Sequence, residues 1–120
     1  MHKDIIFFIF FISAQDGIIS STELNKTKEL LNIYASNLGI NTIADDDFDV
    51  ILEEFFESDS QFDECFDKVK NNNIELVLHI TRLAATSDGL DIRENIAFDR
   101  ALKYAGYSYD DIEKWERLFS

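Results

Sequence analysis

Eight bulky apolar residues run without interruption from Ile5 to Ile12, and they constrain the fold more than any other feature of the chain. A helix carrying them is apolar on every side, so other elements have to surround it. Eight residues are too few to cross a bilayer, which takes about 20. The run also imitates a short secretory signal, since His2 and Lys3 precede it and Ser13-Ala14 follow. Asp4, however, spoils the positive flank such a signal needs. The run therefore reads as the central helix of a helical domain, with a cleaved signal as the alternative. Proline is absent and glycine occurs only four times, which disfavours a loop-rich or all-β design.

A chain of 120 residues is expected to form one domain, 1–120. Its 46% apolar content, with 11 Phe, 4 Tyr and 1 Trp, is enough for one core and excludes a disordered chain. Asp plus Glu number 24 against 11 Lys plus Arg, a net charge of −13. That field repels phosphate backbones and anionic lipid, and it attracts cations and basic protein surfaces. No transmembrane segment is expected. Cys65 is the single cysteine, so no intramolecular disulfide can form, and a reducing, cytoplasmic setting is expected.

Start and stop signals divide the chain into about seven helices with no linker between them. The first runs from near Lys3 to Gln15 and stops at Asp16-Gly17. Ser20 to Glu23 reads as a capping box opening a second helix, with Leu24, Thr27, Leu30, Leu31 and Tyr34 on its inner face and its end near Gly39. Thr42 is the expected cap of a third, whose first turn holds Asp45, Asp46 and Asp47 beside the positive end of the helix. Ser58 to Gln61 looks like the start of a fourth, and Asn73 the cap of a fifth that stops at Asp88-Gly89. Asp91 with Glu94 caps a sixth ending at Gly106, and Ser108 a short seventh carrying Ile112, Trp115, Leu118 and Phe119. The halves echo each other. In both, an apolar helix meets Asp-Gly, a hydrophobe follows (Ile18, Leu90), then an N-cap with Glu three residues on, then a helix ending at Gly. The second loop is one residue shorter and its helix about one turn shorter, as expected of a diverged duplication.

Segment 16–23 has the spacing of the back half of an EF-hand, with Asp16 at position five, Gly17 at six and Glu23 at twelve. The front half fails, because Ile12 and Ala14 occupy positions one and three. The second copy fails alike, with Ala84, Thr86 and, at twelve, Asn95. A hard cation takes six to eight oxygens and half are missing, which argues against a true EF-hand.

The all-helical order, the apolar helix ending in Ala14-Gln15-Asp16-Gly17, the Ser20–Glu23 continuation and its echo at Ser87-Asp88-Gly89 resemble the TerB-like family. That family is named for tellurite-resistance proteins, and its domain is also similar to a region of a membrane-anchored DnaJ-class co-chaperone. The resemblance covers nearly the whole chain. It implies an all-α bundle of about seven helices, with a cluster of acidic residues at the two Asp-Gly loops suspected of binding metal ions. By position it carries over Asp16, Glu23, Asp88 and Glu94. The sequence departs from the family pattern at the second loop, where one residue is missing and Asp91 replaces a later cap.

If the two loops lie close, Asp16, Glu23, Asp88, Asp91 and Glu94 would supply an oxygen-only site suited to Ca²⁺, Mg²⁺ or Mn²⁺. Capping alone also accounts for Ser20 with Glu23 and for Asp91 with Glu94, at about 1 kcal/mol per cap. Capping does not account for Asp16 and Asp88, which stand at helix C-termini where negative charge is unfavourable.

The acidic stretch Asp45–Asp67, interleaved with Phe48, Phe55, Phe56, Phe62 and Phe66, reads as an amphipathic helix pair with a solvated acidic face. Its functional alternative is a docking surface for a basic partner, or a DNA-like charge array that blocks a nucleic-acid-binding protein. Cys65 is expected to be a buried inert thiol and His79 a near-core histidine without a zinc partner. Trp115 is expected to close the core. No phosphate loop, nucleophile elbow or Cys/His pair suggests catalysis. The sequence points to a non-enzymatic acidic helical module that binds a divalent cation at the paired loops and a protein partner through its acidic face. The alternative is a metal-independent adaptor, inhibitor or immunity-type protein that neutralises a basic partner.

Overall fold

The apolar run forms α1, His2–Ser13, in a computed structural model that describes residues 2–15, 19–59, 61–87, 89 and 91–119. Ile5, Ile6, Phe8, Ile9, Phe10 and Ile12 have no exposed surface at all, and Phe7 and Phe11 pack on the same core. Burying each such side chain contributes about 1.5–3 kcal/mol, which is why the run sits in the middle of the molecule. It is surrounded by α4 (Asp45–Glu57), α5 (Phe62–Val69), α6 (Ile74–Ala85) and α7 (Ile92–Ala105). The second central helix is α6, which packs on α1, α2 (Ser21–Ile33), α7 and α8 (Tyr109–Phe119). No described helix is long and apolar enough to cross a membrane.

The described residues contain eight helices and no strand, one helix more than the sequence predicts. The extra element arises because the second helix breaks at Tyr34, whose backbone leaves the helical region (φ −99°, ψ 10°), and a four-residue α3, Ala35–Leu38, follows. Tyr34 is claimed by tertiary contacts. Its hydroxyl donates to the carbonyl of Phe119, and its ring packs edge-on to His79 at 6.4 Å. Gly39 (φ 71°) and Gly106 (φ 83°) then end α3 and α7 in the left-handed conformation, where a side chain would be strained.

The expected caps divide in two. Ser20 forms a full capping box with Glu23, and Asp91 accepts from the N–H groups of Arg93 (2.8 Å) and Glu94 (3.2 Å). At the seventh expected start, the Ser108 N–H donates to Asp111 at 2.8 Å. Asn73 does precede α6, but it acts through its left-handed backbone (φ 48°) and makes no side-chain cap bond. Thr42 does not cap α4. Ala44 is the N-cap there, and the carboxylates of Asp45, Asp46 and Asp47 meet the positive end of the helix instead. Nor does Ser58 open α5: it closes α4, its hydroxyl donating to the Phe55 carbonyl at 2.8 Å.

The loop between α3 and α4 is held to α2 by Asn32, whose side-chain oxygen accepts from the Ile43 N–H at 2.8 Å. α4 then packs on α1 through aromatic rings, with Phe10 5.8 Å from Phe48 and 5.6 Å from Phe55. Trp115 is buried as expected and meets Tyr107 at 5.2 Å. Leu118, expected on the inner face of the last helix, is exposed instead, because Ile112, Trp115 and Phe119 already fill that face.

Candidate functional site

The sequence directs attention to the two bends between α1 and α2 and between α6 and α7. Before the first, the Gln15 amide donates to the Phe11 carbonyl at 2.6 Å. After it, the Ser20 hydroxyl accepts from the Glu23 N–H at 3.0 Å, and the Glu23 carboxylate accepts from the Ser20 N–H at 3.1 Å. Before the second bend, the hydroxyls of Thr86 and Ser87 donate back to the carbonyls of Arg82 (2.8 Å) and Ala84 (2.7 Å). The Arg82 and Ala84 carbonyls also accept backbone N–H groups, from Thr86 (3.1 Å) and Ser87 (3.3 Å), so the hydroxyls reinforce a closed last turn. Asp16, Gly17, Ile18, Asp88 and Leu90 lie outside the described residues.

Glu23 and Glu94 occupy the same place, three residues after the N-cap of their helices, and are 3% and 5% exposed. Carboxylates are seldom buried to this degree. The capping box gives Glu23 a structural reason to be there, and Asp91 is used as an N-cap. A role in binding a cation would have to coexist with these bonds. Glu94 lines a cavity of about 10 Å³, the size of one water, together with Arg82, Thr86 and Phe98. The guanidinium of Arg82 packs on the rings of Phe98 (5.7 Å) and Tyr109 (5.9 Å), which puts a positive charge on the lining that Arg82 shares with Glu94.

Residues flanking the two bends share the linings of two grooves. A groove of about 560 Å³ is shared by Thr22 and Asn25 on the first turns of α2 and by Thr86 and Ser87 at the end of α6. A second groove, of about 230 Å³, brings Gln15 beyond the end of α1 together with Arg93 at the start of α7. Among the described residues, no three of His, Cys, Asp and Glu cluster in a way that could hold a metal ion.

His79 lies in α6 between Tyr34 and Phe119, its ring 5.3 Å from the latter. Burial lowers its pKa below the ordinary 6.5, against the opposing pull of Glu116. Cys65 is buried in the core beside Phe62 and Phe66.

The acidic stretch lies on the outside of the molecule. Residues 45–67 contain eleven Asp and Glu and no Lys, Arg or His. Among the described residues four of the eleven form ion pairs, with Lys28, Lys3, Arg100 and Lys70. Val50 (54% exposed) and Phe56 (52%) stand among these acids. One surface escaped the sequence reading. Ile92 and Ile96 of α7 are 75% and 63% exposed, next to Arg93 and Arg100. The signal was a second apolar spacing on a helix whose inner face, Ala97, Phe98, Ala101 and Leu102, was already complete.

No family model, curated protein or solved structure matches the chain.

Proposed function

We propose that the chain is a non-enzymatic acidic helical module that binds a protein partner with a basic surface through the outer face of α4 and α5. The observation that carries this reading is the 45–67 stretch, where eleven carboxylates occur with no basic residue among them. Exposed Val50 and Phe56 add apolar contacts to what would otherwise be a purely electrostatic patch. An adaptor, inhibitor or immunity-type protein works in this way, with long-range attraction raising the rate of encounter. The test is binding to a polylysine peptide, and then to candidate basic proteins, across a salt series. Affinity should fall steeply with salt, and Asp46→Lys/Glu53→Lys should weaken it at least about tenfold. Binding that ignores both changes would sink the reading.

A second reading places Ca²⁺, Mg²⁺ or Mn²⁺ at Asp16, Glu23, Asp88, Asp91 and Glu94. It is favoured by the grooves that residues flanking the two bends share, and by the burial of Glu23 and Glu94 at equivalent positions. With it go the diverged duplication of the helix–loop–helix unit, the TerB-like resemblance, a role in stress or tellurite resistance, and a cytoplasmic setting. Titration calorimetry with each ion separates the two readings. Heat with the native chain that is lost in Asp16→Asn/Asp88→Asn supports the ion site. No heat and an unchanged Tm would abandon it.

A further inference from the structure

The outer face of α7 carries Arg93, Ile96 and Arg100, spaced i, i+3 and i+7, so all three lie along one side of the helix, with the buried Ala97 at the floor beside them. Phe11 and Phe62 complete a groove of about 230 Å³ beside them. That volume is below the ~300–1,000 Å³ of a drug-sized ligand site and suits an inserted side chain. The guanidinium of Arg100 lies 4.4 Å from the centre of the Phe62 ring, which holds it at the rim. Among the described residues both arginines have only long, exposed ion pairs, Arg93 with Asp91 at 3.8 Å and Arg100 with Asp63 at 3.5 Å. Such pairs are worth about 0–1 kcal/mol and exchange readily.

One surface of the chain has the complementary pattern. On the exposed side of α4, Asp46, Val50 and Glu53 are spaced i, i+4 and i+7. Two carboxylates thus bracket a hydrophobe at the same separation, about 10 Å along the axis, at which the two arginines bracket the exposed Ile96. We propose that the α7 groove of one copy receives α4 of a second copy. The helices run antiparallel, with Arg93 against Glu53, Arg100 against Asp46 and Val50 seated over Ile96. The proposal rests on the reading of α4 as a docking face and assigns that face a partner in the chain itself. The two surfaces are different, so the contact is head-to-tail and propagates unless the rotation closes a ring. Two copies of charge −13 repel at long range, so the association is weak and needs high concentration. Modest salt strengthens it, because screening beyond about 8 Å relieves the net repulsion more than it weakens the touching pairs.

Sedimentation velocity over a concentration series, at near-physiological salt, tests this. The native chain should show a reversible rise in mass, and Arg93→Glu/Arg100→Glu and Asp46→Arg/Glu53→Arg should each remain monomeric. Mixing the two variants should restore association, because each then offers the charge the other needs, which misfolding would not reproduce. Lys68→Glu/Lys114→Glu alters the net charge as much as the arginine reversal does, and it should leave association at least in part. A native chain that stays monomeric at the highest soluble concentration overturns the proposal. So does association that survives the arginine reversal, or a mixture that stays monomeric. The polylysine experiment reads α4 with the arginines reversed, so failure of the groove and failure of the acidic face are told apart.

Discussion

Helices α1 and α4 are nearly equal in length, 12 and 13 residues, and both are rich in phenylalanine, yet they face the solvent in opposite ways. In α1, four phenylalanines and four isoleucines all pack in or against the core, and no charge interrupts them. In α4, Phe48 and Ile51 are buried, Leu52 and Phe55 lean on the core, and every remaining position but the exposed Val50 and Phe56 is an acid. One helix uses its apolar surface wholly for folding. The other keeps a face for something else. The comparison teaches that aromatic content alone says little about a helix's role, whereas the placement of charge around its circumference says a great deal.

The sharpest way to break that contrast is to truncate one phenylalanine in each. Phe10→Ala should cost about 3–5 kcal/mol in urea denaturation, since it opens a cavity between α1 and α4. Phe56→Ala should cost much less, about 1 kcal/mol at most, since the ring is half-exposed and meets Phe55 edge-on at 5.5 Å. Equal losses would erase the distinction. A smaller effect separates helices with and without a side-chain cap. Ser20→Ala should cost about 1 kcal/mol, whereas Thr42→Ala, at a position that caps nothing, should be close to neutral.

Acid sensitivity adds a further contrast, since His79 sits on the α6 side of the core, away from the acidic face. Burial depresses its folded-state pKa, so the unfolded chain binds the proton more readily. Its contribution to stability is therefore full above pH 6.5 and is lost as pH falls through the lower folded-state value. His79→Phe should flatten that part of the stability profile, and Glu116→Gln, which removes the opposing charge, should steepen it. Smallest of all, Asp45→Asn/Asp46→Asn/Asp47→Asn should lower stability by a few tenths of a kcal/mol per site, an effect that salt suppresses.

Most of the helices were legible because their signals are local. Ser20–Glu23, Asp91, Gly39 and Gly106 mark real termini, and the Ile5–Ile12 run could go nowhere but the centre. What the sequence hid depends on distant contacts. The break at Tyr34 depends on Phe119, 85 residues away. Thr42 and Ser58 are good caps by type, but the first turn of α4 is served by its own aspartates and Ser58 closes the helix before it. Leu118 falls one position off a face already filled by Ile112, Trp115 and Phe119. At the candidate ion site, the positions of Glu23, Asp91 and Glu94 on first helical turns follow from capping. Their depth of burial does not, because it depends on how α2 and α7 pack against α6.

The central position of α1 has a consequence for synthesis. Its eight greasy residues emerge about 70 residues ahead of the end of α6, the helix that lies alongside them. At about 5–20 residues per second, that is a wait of several seconds with an adhesive segment hanging from the ribosome. Slowing translation between α1 and α6 should therefore lower the yield of native protein, and a holdase that grips extended hydrophobic stretches should raise it.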